Sequence, residues 1–196
     1  MVSGAERIRD GLTRLSDLAL QVASDHAESI AQLADRYIRT LRGGGTLFFA
    51  GNGGSAADAQ HITTEYVVRY RQNRRALPAL ALTTDTSLLT ACGNDLGFAE
   101  VFARQVEALV APGDLLMLHS TSGESPNLLN AARAARARKA VTVALLGKGG
   151  GPLRAEVDHA LVIPSDDTAR IQEIHLAIEH LICEIVEEEM GTGPVA

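Results

Sequence analysis

A parallel β-sheet covered by helices on both faces is predicted for this 196-residue chain, because short apolar runs alternate with segments of helical length. Five runs carry the pattern: TLFFA (46–50), ALALTT (79–84), LLMLH (115–119), VTVALLG (141–147) and ALVIP (160–164). Each is too short for a core helix. Those at 141–145 and 160–163 are rich in valine and isoleucine, which suits strands buried on both sides. The segments between and after them, at 55–70, 85–93, 98–110, 125–139 and 167–190, read as helices. A further helical region precedes the first strand over 5–42, where Leu12, Leu15, Leu18, Leu20, Val22, Ile30, Leu33, Ile38 and Leu41 recur mostly every three or four residues. It is one long helix or two, with a polar SDHAES stretch in the middle, and Gly43–Gly45 ends it. Its apolar stripe requires a partner. The chain reads as one domain, with a tail, GTGPVA (191–196), expected to fray.

Hydrophobic residues make up 46 % of the chain and charged residues 21 %, a globular balance. The formal net charge of -6 argues against broad electrostatic binding to nucleic acid or an anionic membrane. It leaves room for an anionic small substrate, since local amide dipoles can outweigh the global sign. Cys92 and Cys183 lie in apolar surroundings and read as buried thiols rather than a disulfide or zinc framework. No targeting segment or membrane-length apolar run is visible, so a soluble, cytoplasmic protein is expected.

In such a sheet, ligands sit beyond the carboxyl ends of the strands, where loops enter helix N-termini. Two loops there stand out. STSGES (120–125) offers Ser120, Thr121, Ser122 and Ser125 with free amides at a helix start, an anion site in type. Simple capping by Ser125 with Pro126 at the first helical position explains the same residues. GNGGSAAD (51–58) has neither a dinucleotide fingerprint nor a P-loop lysine. Gly53 and Gly54 let backbone approach a ligand, and Asn52 and Ser55 offer hydrogen bonds, but a tight strand-to-helix turn uses the same glycines.

On the helix that follows, His61 and Glu65 are spaced i,i+4 and share a face, a pair suited to a metal ion or a substrate proton. Ile62, Val67 and Val68 are expected to bury part of this helix, and Arg69 to pair with Glu65 or reach a substrate oxygen. On the last helix, Gln172 and His180 fall about 80° apart around the axis, while His175 lies about 140° from His180 and reads as structural. Ile171, Ile174, Ile178, Leu181, Ile182 and Ile185 mark the expected buried stripe, and the glutamates at 187–189 a solvated face. His119 reads as a bland neighbour of the serine loop, and Glu124 as pointing to solvent. No GxSxG or Cys/His nucleophile is evident.

GNGGSAADAQHITTE, LTTDTSLLTACGNDLGF, STSGESPN and DTARIQEIHLAIEH, in this order, resemble the sugar-isomerase (SIS) domain proteins of the phosphoheptose isomerase type, over about residues 40–190. The resemblance implies a three-layer α/β/α fold, flavodoxin-like, with a five-stranded parallel sheet. It implies a homotetramer with active sites between subunits, which supplies the N-terminal helix with its partner. It implies conversion of D-sedoheptulose 7-phosphate to D-glycero-D-manno-heptose 7-phosphate. Ser120, Thr121, Ser122 and Ser125 would cradle the phosphate; Asn52, Gly53, Asn94 and Asp95 would contact the sugar. Glu65 and His180 would be the acid/base pair, placed on opposite sides of the sugar, and His61, Glu65, Gln172 and His180 the ligands of a zinc ion. A related seven- or eight-carbon ketose phosphate is an alternative substrate. A second alternative is a non-catalytic tetrameric scaffold for the bacterial replication initiator protein; the complete set of Glu65, Gln172, His180 and serine loop favours the enzyme.

Overall fold

The computed structural model describes residues 2–191, and the tail's expected fraying lies outside them from residue 192 onward. Five parallel strands, β1 (Leu47–Gly51), β2 (Ala79–Ala81), β3 (Leu115–Ser120), β4 (Val141–Leu146) and β5 (His159–Val162), form one sheet in the order β2-β1-β3-β4-β5. The predicted runs fall on these strands within a few residues. β1 and β3 are buried along their whole length, as strands covered on both faces must be.

The N-terminal region is a single helix, α1 (Gly4–Arg42), of 39 residues. A capping box between Ser3 and Glu6 starts it, and the polar centre does not break it because no glycine or proline interrupts 12–42. Burial begins at Leu18 and Val22 and becomes dense in its C-terminal part, through Ile30, Leu33, Ala34, Tyr37, Ile38 and Leu41. Ile8, Leu12 and Leu20 are exposed. α1 joins α2 (Gly54–Val67) and α7 (Thr168–Met190) on one face of the sheet, around Phe49, Met117 and Leu145. Tyr37, Phe49 and Tyr66 pack ring to ring there, with centroids 5.8–6.2 Å apart. The other face is covered by α3 (Thr86–Asp95), α4 (Ala103–Leu109), α5 (Pro126–Ala137) and the short α6 (Leu153–Glu156), around Phe48, Leu116 and Leu118. The segment 98–110 is divided into a 3₁₀ turn at Phe98–Glu100 and α4, and α6 was not foreseen.

Two expected stripes are corrected. Val67 and Val68 are exposed, and Ser55, Ala59, Ile62 and Tyr66 bury α2 instead. Leu181 is likewise exposed, since it lies off the 171–174–178–182 line that faces the sheet. Both cysteines are free and buried, as expected. Among the described residues no helix is long and apolar enough to cross a membrane.

The chain leaves β1 for β2 on one side and returns to place β3 on the other, so β1 and β3 form the switch point of the sheet. α2 leaves β1 towards one face and α5 leaves β3 towards the other, which opens a crevice beyond their carboxyl ends. Gly51 pairs with His119 across that point, which sets Asn52 next to Ser120. A Cβ on Gly51 would lie 2.5 Å from the Ser55 carbonyl oxygen, so only glycine closes the turn. Gly51→Ala should lower stability by about 1–3 kcal/mol, the cost of overpacking against a backbone that cannot yield. Thermal melting of the variant beside the parent checks this.

Candidate active site

Asn52, Ser55, Ser120, Thr121, Ser122, Ser125 and Gln172 line one small cavity of about 70 Å³ at the switch point. His119 and Leu128 complete its wall. The Ser120 hydroxyl accepts from the Gly123 amide at 2.9 Å and the Ser122 hydroxyl from the Glu124 amide at 3.2 Å, which folds the serine loop on itself. Ser125 stands at the N-cap of α5 with Pro126 after it, as the capping reading requires, yet its hydroxyl makes no capping bond. That hydroxyl is left to the cavity at the N-terminus of α5, where Pro126 has no amide hydrogen and the amides of Leu128 and Leu129 donate to the Ser125 carbonyl. Glu124 is exposed and turned away, as expected. Asn52 and Asn127 exchange two amide hydrogen bonds, at 3.0 and 2.8 Å, and so fasten the glycine loop to α5. Asn127 was missed by sequence reading; its place in the first turn of α5 was the available signal.

A second cluster lies along the same two helices. His61 Nε2 is 3.0 Å from His180 Nε2 and 3.6 Å from Glu65 Oε1, and ligand-type atoms of all three residues lie within 4.8 Å of one another. Residues 119 positions apart in sequence are therefore brought together by the packing of α2 against α7. The acid/base candidates stand side by side, not on opposite sides of a sugar-sized gap, because α2 and α7 pack on the same face of the sheet. A tetrahedral zinc ion with Zn–N bonds of 2.0–2.1 Å holds its ligand atoms about 3.3 Å apart. The spacings of 3.0 and 3.6 Å bracket that value, so the donor set fits zinc. Gln172 rests its amide against Gly54, where a Cβ would lie 2.6 Å from the Gln172 Nε2, and it lines the serine cavity. Gln172 precedes His180 by eight residues, about 12 Å along the helix axis.

Tyr70 stacks on His180, with ring centroids 5.8 Å apart and planes at 25°, and the Arg71 guanidinium lies 4.9 Å over Tyr70. Arg69 does not meet Glu65. α2 ends at Val67, which breaks the i,i+4 relation, and Arg69 donates instead to Asn73 at 2.6 Å. Asn94 and Asp95 end α3, bond to each other at 2.7 Å, and do not line the serine cavity of this chain.

Several polar groups that the sequence reading took as bland or solvated, or did not single out, are buried in the core. His119 and Glu179 are both fully buried, with His119 Nε2 3.0 Å from Glu179 Oε1. His175 is a core histidine, as expected; its Nε2 lies 3.1 Å from the Leu146 carbonyl, and burial, with His119 close by, holds its imidazole down to about 3. Glu187 is not on a solvated face. It is buried, accepts from the amides of Tyr70, Arg71 and Gln72, and pairs with Arg74 at 3.2 Å.

A family model described as SIS domain matches residues 12–147. The chain is 51 % identical over 174 residues to a phosphoheptose isomerase of Roseiflexus sp. (strain RS-1), covering 89 % of this chain and 88 % of that protein. Among solved structures, a phosphoheptose isomerase from Neisseria gonorrhoeae matches with a TM-score of 0.90 and 39 % identity, over 95 % of this chain and all of that one. One from Francisella tularensis matches with a TM-score of 0.92 and 35 % identity over the same shares.

Proposed function

Since the chain belongs to the phosphoheptose isomerase family of SIS-domain proteins, we propose that it is an aldose–ketose isomerase converting D-sedoheptulose 7-phosphate to D-glycero-D-manno-heptose 7-phosphate through an enediol. The observation that carries the chemistry is the meeting of Glu65, His61 and His180, from two helices, on the pair of elements that also walls the serine cavity.

The residues divide the work by type. Ser120, Thr121, Ser122 and Ser125, at the positive end of α5, hold the phosphate ester and fix which carbon reaches the acid/base pair. Asn52, Gly53, Gly54 and Ser55 supply close backbone approach and hydrogen bonds to the sugar hydroxyls. Glu65 removes the proton from the carbon next to the carbonyl and returns it to the neighbouring carbon. His180 moves the hydroxyl proton between the two oxygens, oriented by Tyr70 stacked on its ring. Its place beside Glu65 suits transfers on one face of the enediol. His61, Glu65 and His180, with Gln172, would hold a zinc ion, which supplies Lewis-acid polarisation of a sugar oxygen when bound. Glu65 carries two roles there, and the base role has priority because a ligating carboxylate is a weaker base.

The reading extends to assembly. The exposed Ile8, Leu12 and Leu20 on the N-terminal half of α1 support burial against other copies, as in a homotetramer. In such an assembly Arg69, Asn94 and Asp95, which stand outside the cavity of one chain, would serve sites completed by a neighbour. A cytoplasmic location belongs to the same proposal.

The test is to incubate the purified protein with sedoheptulose 7-phosphate and follow aldose formation, with shorter and longer ketose phosphates in parallel. Turnover of the seven-carbon substrate above the others is the expected result, and no aldose from any of them removes the proposal. Chelation should lower the rate and release about one zinc per chain, read by metal analysis; His61→Ala should not retain the metal.

A further inference from the structure

The buried His119–Glu179 pair has no assigned part in the chemistry, and its position gives it one. His119 immediately precedes Ser120 of the serine loop, and Glu179 immediately precedes His180. Both side chains are fully buried, with Nε2 to Oε1 at 3.0 Å. Tyr37, from α1, donates its hydroxyl to the same Glu179 oxygen at 3.3 Å, and Phe49 stacks on the imidazole with planes at 11°. As a stability device the arrangement is poor. Glu179 Oε2 and His119 Nδ1 are buried without a hydrogen-bond partner, so the desolvation of the pair is incompletely offset. Two apolar side chains would fill the same space at lower cost.

What the pair does hold is geometry. His119 is fixed at its ring nitrogen and on its flat face, so the end of β3 cannot shift along α7. The next residue, Ser120, accepts from the Gly123 amide and gives the serine loop its shape. Glu179 lies seven residues after Gln172, two turns along nearly the same face of α7, and Gln172 closes the other wall of the cavity. We propose that His119 and Glu179 are positioning residues for the isomerisation, a buried hydrogen-bonded tie that sets the phosphate-gripping serine loop in register with the helix bearing Gln172 and His180. The proposal rests on reading the serine loop as the phosphate site.

The test uses the full-length protein and two readouts, steady-state kinetics and calorimetric titration with inorganic phosphate. His119→Leu combined with Glu179→Leu should fold and melt at or above the parent temperature, as apolar replacement of buried pairs often allows. Its KM for the sugar phosphate should rise about tenfold, with kcat less affected, and its phosphate affinity should fall in parallel. Glu179→Gln, which keeps an acceptor for the imidazole, should stay within about threefold of the parent in both. Parental KM and phosphate affinity in the double variant overturn the proposal, as does a double variant that does not fold. A Glu179→Gln protein as impaired as the double variant also overturns it, because the hydrogen bond then is not what positions the loop. Phosphate titration needs no turnover, so an inactive parent that binds phosphate refutes the isomerase reading alone. A parent that binds no phosphate refutes the phosphate site and the tie together.

Discussion

Glu65→Gln is expected to lower kcat by about 10²- to 10⁴-fold, the usual contribution of a positioned general base. Glutamine preserves the volume and one acceptor oxygen but cannot take a carbon-bound proton. The fold should survive the change, because Arg74 fastens the main-chain carbonyls of Glu65 and Tyr66 and the buried anchors of α2 are Ala59, Ile62 and Tyr66. KM should move little, since the phosphate grip lies on the serine loop. The discriminating measurement is exchange of substrate protons with solvent deuterium, followed by NMR. It should vanish in Glu65→Gln even where slow binding persists. His180→Gln should also lower kcat, and the double variant should be little worse than the poorer single one, as for groups acting as a unit. A Glu65→Gln protein that turns over at the parental rate and still exchanges deuterium removes the assignment.

How far the sequence discloses this site depends on what sets each position. The strands and their loops were legible because buried parallel strands are apolar runs, and because ligand loops in such sheets follow strand ends. The four motifs, read in order, also pointed to the right family. The i,i+4 relation placed His61 with Glu65 but failed for Arg69, since it assumes a helix that in fact stops at Val67. That end is decided in three dimensions: Arg74 folds back to take the last carbonyls of α2, and Glu187 captures the three amides that follow Val68 and Arg69. Glu187 was misjudged and Glu179 passed over because charge outweighed periodicity. Both fall on the buried face with Ile171, Ile174, Ile178, Ile182 and Val186, and spacing alone signalled it. His119 carried the same signal, a polar residue inside a run otherwise buried throughout.

Glu187→Ala is expected to cost about 3–5 kcal/mol, which is a large part of a typical domain stability of 5–15 kcal/mol. The carboxylate accepts from the amides of Tyr70, Arg71 and Gln72 at 3.0, 2.8 and 2.9 Å. It also lies 3.2 Å from Arg74 Nε, and both side chains are almost wholly buried, at 3 % and 2 % exposure. Removing it strands a buried cation and three amides at once. Burial pushes the Glu187 carboxyl up, but the three amides and Arg74 outweigh it and hold it below its ordinary value. A lowered folded-state pKa means that the stabilisation is fully present above the unfolded-state value. It is lost as pH falls through the folded one. The parent should therefore lose stability on acidification below about pH 4.5, and Glu187→Gln, which cannot ionise, should lose less over the same range. Melting temperatures from pH 7 down to pH 3 measure both effects. The consequence reaches the chemistry, because the loop that Glu187 holds carries Tyr70 against His180 and Arg74 against the end of α2. Glu187→Gln, which keeps an acceptor, should fold well enough to assay and show a lower kcat. Parental melting temperature in Glu187→Ala at pH 7 would contradict the clamp, because a buried guanidinium cannot lose its counter-charge without cost.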